Sequence, residues 1–240
     1  MIIPYSFSMS NIKIVYTFEV QNREKIVYPI FLDEKTVSLV SEGQAVPPNW
    51  TALENCQCKV CPLIKERDPY CPIAVNIDRL VEYFKDIYSI DMMHITVVTE
   101  ERGYFKEAPA QRGLSSILGV IMATSGCPIM NFLKPMARFH LPFSTSDETI
   151  IRSTSMYLLT QYFIAKKGSK PDISLDKLNR AYGDVQQVNI GMCKRIATVV
   201  KKTDATSNAV IILDTFSQLL GMEIDNKLDS MQSLFEGIQI

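Results

Sequence analysis

The sequence predicts an α+β protein, with a small N-terminal antiparallel sheet and a metal-binding cysteine loop packed on a C-terminal helical part. Three observations lead to this prediction. β-Branched and aromatic residues fill the early segments, apolar residues recur at helical spacing through the second half, and cysteines crowd into one short stretch between them. We place the boundary between a β-rich part, 1–108, and a helical part, 109–240, and expect the two to form one compact unit.

The strand predictions rest on short segments rich in valine, isoleucine, tyrosine and phenylalanine with partial alternation. These segments are 12–20, 25–32, 36–40, 93–99 and a short partner at 104–107. The first two predict an antiparallel hairpin, and the third is expected to extend it into a small meander. Pro47 and Pro48 would end the meander, because proline has no N–H to donate to a β-ladder.

The helix predictions rest on apolar residues spaced three and four positions apart. They cover 77–88, 111–125, a helix from N-cap candidates at 144–148 to about 167, then about 174–200, 204–220 and 223–236. Gly183 is a candidate break in the first of the last three helices, and Gly221 a candidate stop for the second. The segment 127–143 contains three prolines and is expected to be irregular.

Composition and charge exclude some function classes. The 240 residues include 25 basic and 26 acidic side chains, a formal net charge of −1, and 47% are hydrophobic. Such a balance argues against a surface devoted to nucleic acid or to an anionic membrane. No apolar run is long enough to predict a transmembrane helix. The expected partner is therefore another protein or a small anionic ligand, with no nucleic acid and no membrane.

The N-terminal residues lack the basic and long apolar regions of a secretory signal, and Met9 is an alternative start. We therefore expect a cytoplasmic protein. In the reducing cytosol, clustered cysteines bind metal or carry out redox chemistry more often than they form disulfides.

The cysteine loop is the most chemically distinctive stretch of the chain. Cys58 and Cys61 form a C-x2-C pair, whose two thiolates can reach one zinc ion at about 2.3 Å each. Cys71 follows ten residues after Cys61 and supplies a third ligand. The fourth ligand is either Cys127, which repeats the Cys-Pro context of Cys61 and Cys71, or Cys56, whose C-x-C spacing is more crowded.

Zinc is the metal that this ligand set favours, because nothing else in the sequence indicates electron transfer. An iron–sulfur cluster is the alternative, since its ligands are also closely spaced cysteines with an adjacent proline. Plain buried thiols are the third interpretation, and Cys193, alone in a predicted helix, is expected to be one. Four thiolates would leave zinc no open position for water, so the site would stabilise the fold and would not hydrolyse a substrate.

A second candidate site lies around the proline-rich segment, where Arg138, His140 and Arg152 adjoin a predicted helix N-terminus. Such a group can bind a carboxylate or phosphate, and His140 can carry a proton or ligate a metal. The competing interpretation is that both arginines pair with Asp147, Glu148 or backbone carbonyls and so brace the irregular segment.

Two function classes remain open on sequence grounds. The first is a non-catalytic binding or regulatory protein with a structural zinc site. The second is an enzyme that uses the cluster of Arg138 and His140, or that uses Cys56 as a reactive thiol left outside the metal shell. The sequence contains no nucleophile-elbow, zinc-protease, P-loop or dinucleotide-binding motif.

Several short segments carry a resemblance to a known family. They are CxxCPL from Cys58, CP at Cys71, SGCP from Ser125, PMARFHLPF from Pro135 and SMYLL from Ser155. With these segments the chain resembles a bacterial family of unknown function along nearly its whole length from Met9. The resemblance implies a bacterial, cytosolic, single-unit protein, and it implies no activity or ligand.

Overall fold

The structure, a computed structural model, describes residues 11–20, 24–40, 46–200, 203–226 and 228–238. The alternative start at Met9 lies outside these residues. The strands are β1 (Asn11–Glu19), β2 (Ile26–Asp33), β3 (Met92–Val98) and β4 (Gly103–Pro109). The α-helices are α1 (Pro72–Phe84), α2 (Ala110–Thr124), α3 (Lys134–Arg138), α4 (Ser146–Lys166), α5 (Asp176–Ile196) and α6 (Ala205–Asp225), and 3-10 helices cover Asn49–Thr51, Asn131–Leu133 and Asp229–Phe235. The predicted α+β class is confirmed.

The sheet has the strand order β2-β1-β3-β4, and every neighbouring pair is antiparallel. The predicted hairpin of β1 and β2 is confirmed, but the prediction that 36–40 forms a third strand of a meander is wrong. Leu39 makes only an isolated bridge to Leu32, and its N–H donates to the Thr124 carbonyl at 2.9 Å, at the end of α2. The free edge of β1 pairs with β3, because a longer apolar strand can bury more surface there.

One face of the sheet is buried, and its side chains alternate along the strands as the period of two requires. They are Ile14, Tyr16 and Phe18 on β1, Tyr28, Ile30 and Leu32 on β2, and Met93, Ile95 and Val97 on β3. Helices α1 and α2 cover this face. The Phe18 ring meets the Phe84 ring of α1 edge-on, with centroids 4.9 Å apart, and the backbone of α2 comes close at Gly113.

Helix α1 begins at Pro72, five residues before the predicted start. Proline suits the first helical position because its missing N–H would have no helical partner there. The predicted start at 77 followed only the apolar periodicity and is therefore wrong. This start makes Cys71 the N-cap residue of α1.

Helix α5 is shorter than the predicted 174–200, whereas α6 ends later than the predicted 204–220. Helix α5 continues through Gly183 and α6 continues through Gly221, so the candidate break and the candidate stop are both wrong. One glycine in a helix costs only about 1 kcal/mol relative to alanine, which the packing of a long apolar face outweighs. The predicted separate helix at 223–236 is also wrong, because α6 takes its first residues and a 3-10 helix follows.

The start of α4 is confirmed as a helix N-terminus. Thr145 is the N-cap, and its side-chain oxygen accepts the Glu148 N–H at 3.2 Å. The Glu148 carboxylate in turn accepts the Thr145 N–H at 2.8 Å. Together these two bonds form a capping box that fixes where the irregular segment ends.

Helix α2 lies at the centre of the molecule, in contact with the sheet, α1, α3 and α6. It follows β4 directly, and a single hydrophobic cluster includes residues from both sides of this junction. The division into 1–108 and 109–240 therefore stays a prediction. No helix in the described ranges has the length and apolar character needed to cross a membrane.

The close approach of α2 to the sheet generates a stability prediction. A Cβ at Gly113 would lie 2.5 Å from Ile95 Cδ1 and 2.7 Å from Phe18 Cε1, whereas a Cβ at Gly119 would lie at an ordinary 3.6 Å from Leu213 Cδ2. Both alanine variants gain the same helix propensity. We expect Gly113→Ala to be less stable than Gly119→Ala by about 1–3 kcal/mol, because the overpacking is confined to Gly113. Urea denaturation measures the difference, and equal stabilities would contradict the close approach.

Candidate functional site

Four thiols from three chain segments lie near one another. Cys58 and Cys61 are in the loop before α1, Cys71 caps α1, and Cys127 follows α2. Cys58 and Cys61 form a tight turn in which the Cys61 N–H donates to the Cys58 carbonyl at 3.0 Å. Burial raises the pKa of the Cys58 thiol to about 12, and negative charge on Cys71, Cys61 and Cys127 would raise it further. The four sulfurs are therefore within electrostatic range of one another.

Cys71 and Cys127 share one local geometry, which follows from the proline after each of them. In both, the backbone N–H groups two and three residues further along the chain lie near the cysteine sulfur. Burial raises the pKa of both thiols, and these N–H groups oppose that rise. N–H groups near a sulfur favour the thiolate, which is the form that binds metal.

Arg195 of α5 joins the base of the cysteine loop to the helices. Its side chain is only 1% exposed, and it donates to the carbonyls of Trp50, Ala52 and Leu53 at 2.8, 2.6 and 3.2 Å. Among the described residues, its charge meets no carboxylate in an ion pair. The positive charge of Arg195 instead acts on two thiols, Cys58 and Cys71, and lowers their pKa against the larger effect of burial.

Cys58 packs directly on the same helix. A Cβ at Gly191 would lie 3.0 Å from the Cys58 sulfur. The absence of a side chain at Gly191 thus leaves room for the thiol between the loop and α5. Gly191 and Arg195 are one helical turn apart, so a single face of α5 holds both the sulfur and the loop carbonyls.

The fit of this group to a metal ion is incomplete. Within the ranges that the structure describes, no three His, Cys, Asp or Glu side chains converge closely enough to hold a metal ion as they are placed. The metal set of Cys58, Cys61, Cys71 and Cys127 therefore stays a prediction. The electrostatic grouping favours Cys127 over Cys56 as fourth member, and Cys56 adopts a left-handed backbone with φ of 60°.

The structure brings His140 and Arg152 together and leaves Arg138 apart. His140 Nε2 is in hydrogen-bond contact with the Tyr16 hydroxyl, which also bonds to Ser116 at 2.9 Å. Arg152 adds to the burial that lowers the pKa of His140. Arg138 has its guanidinium 5.4 Å from the centre of the Phe139 ring and lies in a separate surface pocket that includes Glu100 and Glu101. The predicted three-residue site is therefore only partly assembled.

His140 is held in its neutral form. Burial, and secondarily the charge of Arg152, lowers its pKa to about 3. Burial also raises the pKa of Tyr16, so this phenol keeps its proton and can donate it in a hydrogen bond to Nε2. A neutral imidazole that accepts at Nε2 carries its proton on Nδ1. The contact therefore joins the sheet to the irregular segment.

Arg152 braces the same segment. Its Nη2 donates to the carbonyls of Met136 and Phe139 at 3.1 and 2.7 Å. This agrees with the interpretation in which an arginine pairs with backbone carbonyls. Since a guanidinium has five N–H donors, two bonds leave others available towards the interior.

A cavity of about 150 Å³ opens beside these residues, between α2, the irregular segment, α5 and α6. Its lining is mainly apolar and includes Arg112, His140, Arg152 and Asn189. Asn189 is 1% exposed, and within the described part of the chain neither its Oδ1 nor its Nδ2 has a hydrogen-bond partner. Cavities with an apolar wall and a few polar groups are the usual form of small-molecule sites.

Sequence reasoning missed Arg195, Asn189 and Arg112. A signal for the first two was available, because both lie on α5 in phase with the buried residues Val188 and Met192. A polar side chain at an apolar position of a helical repeat indicates a buried polar contact. Arg112 gives no such signal, since its contacts are with the Ser144 carbonyl at 3.1 Å and the Phe216 ring at 5.5 Å.

A family model with the description "Domain of unknown function (DUF6901)" matches residues 14–236. The chain belongs to this family. No curated protein and no solved structure matches the chain. The part assigned to DUF6901 contains all four grouped cysteines, Arg195 and the cavity residues, so both candidate sites lie inside the family domain.

The buried imidazole of this DUF6901 chain makes its stability depend on pH. An unfolded histidine binds a proton near pH 6.5, whereas His140 in the folded protein resists protonation until about pH 3. Between these values the unfolded state binds the extra proton, so the free energy of unfolding decreases as pH falls, by roughly 3–5 kcal/mol in total. We expect His140→Gln to lose less stability than the wild type between pH 7 and pH 4.

His94 provides the matched control, because it is exposed on β3. Urea denaturation of wild type, His140→Gln and His94→Gln at several pH values gives the three slopes. His94→Gln should retain the slope of the wild type. An unchanged slope in His140→Gln would contradict a buried, neutral imidazole.

Proposed function

We propose that this DUF6901 chain is a non-catalytic binding protein whose fold is held by a structural zinc ion bound to Cys58, Cys61, Cys71 and Cys127. The cavity beside His140 is its ligand-binding part. One observation carries the zinc proposal: thiols from three segments group around Cys58, beside the fully buried Arg195. No other cysteine arrangement among the described residues combines a C-x2-C turn with two Cys-Pro thiols whose pKa is lowered by nearby backbone N–H groups.

The charge of Arg195 supports a thiolate site. Four thiolates around one Zn²⁺ carry a net charge of −2, and a buried guanidinium beside them offsets part of it. Conversely, a buried cation without a nearby negative charge is costly, even when carbonyls accept its N–H groups. Zinc thiolates would provide that charge, whereas four neutral thiols would not.

The non-catalytic part of the proposal follows from the number of ligands. A tetrahedral zinc with four cysteine ligands has no position for water or substrate, so it stabilises the fold. Zinc at this site would bind the loop before α1, the start of α1 and the segment after α2 to one another. Backbone hydrogen bonds already pair the two ends of the loop, where Cys71 N–H donates to Thr51 at 2.8 Å, and the ion would add a link from this loop to the segment after α2.

The proposal includes a cellular setting. All six cysteines are free thiols in the structure, and a reducing compartment keeps them available for metal. We infer the cytoplasm of a bacterium, in accord with the family resemblance of the short cysteine-proline segments.

Substitution of a proposed ligand tests the zinc site. We expect the purified wild type to contain about one zinc per chain and Cys61→Ser to lose it, with a fall in Tm of more than about 10 °C, because metal binding and folding are coupled. Cys193→Ser is the matched control, since burial raises the pKa of that thiol to about 11 and it lies outside the group. It should retain both zinc and Tm.

The same measurement separates the alternatives. Cys56→Ser should keep the zinc and Cys127→Ser should lose it, and the reverse result would make Cys56 the fourth ligand. A red-brown colour, with iron and sulfide in the purified protein, would indicate that the cysteines bind an iron–sulfur cluster and not zinc. Wild-type Tm and metal content in Cys61→Ser would contradict a structural site of either kind.

Arg195→Lys tests the contribution of the buried guanidinium to the proposed zinc site. Lysine keeps the positive charge but lacks the planar fork that reaches three carbonyls. We expect a loss of about 2–4 kcal/mol in the free energy of unfolding and weaker zinc binding in competition with a chelator. Arg180→Lys is the matched control on the exposed side of α5 and should change stability by less than about 0.5 kcal/mol. Equal zinc affinity in both variants would contradict the link between Arg195 and the thiolates.

A further inference from the structure

The cavity contains one polar group whose hydrogen bonds are unaccounted for. Asn189 lines it from α5, and its amide can donate two hydrogen bonds and accept two. Neither polar atom of this amide has a partner among the described residues. Because an unpartnered amide in an apolar interior is costly, a molecule inside the cavity is the natural partner.

Positive charge lines the same space. Arg112 and Arg152 both border the cavity, and no aspartate or glutamate is present among the described residues that line it. Each guanidinium is already fixed in place: that of Arg112 by the Ser144 carbonyl and the Phe216 ring, and that of Arg152 by two backbone carbonyls. Fixed cations in a mainly apolar pocket favour an anion and need little reorganisation to bind it.

His140 adds no charge to the lining of the cavity. Its imidazole is neutral and is engaged with Tyr16 and Ser116. The two arginines therefore set the sign of the potential in the cavity. A carboxylate matches the planar guanidinium better than a spherical anion does, because two oxygens can accept two parallel N–H groups.

The volume and the apolar walls limit the rest of the ligand. Val120, Leu133, Val185, Leu213 and Phe216 are among the lining residues. An apolar cavity of similar volume, engineered into another protein, binds benzene. The apolar part of the ligand is thus the size of a single ring or a short branched chain.

We propose that the cavity binds a small organic carboxylate, with a ring-sized apolar part against the walls and a carboxylate that accepts hydrogen bonds from Asn189 and offsets the charge of Arg112 and Arg152. This inference rests on the proposed binding function and names the ligand class for it. The Oδ1 of Asn189 then accepts from a ligand hydroxyl or from an enclosed water. The cavity is distinct from the cysteine group.

Three probes of one shape test the class. Benzoate, benzamide and toluene share the ring. Benzoate is charged, benzamide is neutral but forms hydrogen bonds, and toluene is neutral and forms no hydrogen bonds. Titration calorimetry on the purified, folded 240-residue protein, with Tm shifts alongside, gives their affinities. We expect benzoate to bind at least about tenfold more tightly than benzamide or toluene, the difference that one charge-assisted hydrogen bond makes.

Two variants on different walls locate the site. Asn189→Leu should weaken benzoate binding about tenfold and leave toluene binding unchanged or stronger. Its Tm without ligand should rise, because the buried amide is removed. Arg112→Gln should weaken the binding of benzoate and leave the binding of benzamide and toluene unchanged. This second variant still tests the site if Asn189→Leu does not fold.

The outcomes separate this inference from the proposed function. Equal affinity for the three probes, or a preference for benzamide or toluene, would overturn the carboxylate class while the cavity remained a binding site. No binding of any probe by folded protein would overturn the carboxylate class and the binding role of the cavity, and it would leave the zinc site to its own test. Benzoate binding that neither variant weakens would place the carboxylate elsewhere and overturn the inference.

Discussion

The buried guanidinium of Arg195 is the contact on which most of this structure depends. It joins α5 to the carbonyls of Trp50, Ala52 and Leu53 at the base of the cysteine loop. The ends of that loop pair through the Cys71 N–H and the Thr51 carbonyl at 2.8 Å, so the arginine holds both ends together. Hydrogen bonds from a charged donor contribute about 1.5–3 kcal/mol each. Helix α5 also packs on α6, and the Trp50 Nε1 of the loop base donates to Asp78 of α1 at 2.7 Å, so Arg195 adds a direct link between two parts that each have other contacts.

Sequence periodicity was sufficient for most of the elements, but it did not give their order in the sheet or all of their ends. The alternation along β1 and β2 and the apolar repeats of α2 and α4 depend on neighbours a few residues away, which a sequence displays directly. The pairing of β1 with β3 is a long-range contact decided by which strand buries more apolar surface. Residues 36–40 have strand-like composition, but they pack against the end of α2. Similarly, Gly183 and Gly221 weaken their helices locally, and only tertiary packing decides that the helices continue.

The candidate sites show the same division between local and distant information. Spacing alone selected Cys58, Cys61 and Cys71, because a metal half-site is a local feature. Arg138, His140 and Arg152 were selected because they adjoin one another in sequence. However, α3 ends at Arg138, and this residue lies in a different pocket from His140 and Arg152. Tyr16 and Asn189, which contribute to the interior around His140, come from elements far away in sequence and required the fold to be known.

The cysteine group and the cavity share two structural elements, the turn that contains Cys127 and helix α5. Cys127 lies between Ala123, at the end of α2, and Met130, and both of these flanking residues line the cavity. The Met130 N–H donates to the Cys127 carbonyl at 3.1 Å, which closes a turn between these two residues. The position of Cys127 therefore determines where Met130 lies in the cavity wall. On the opposite side, α5 carries Asn189 towards the cavity and Gly191 towards Cys58. An ion bound by the four thiols would therefore fix two walls of the cavity at once, which is how a metal without an open coordination position can still determine what the protein binds.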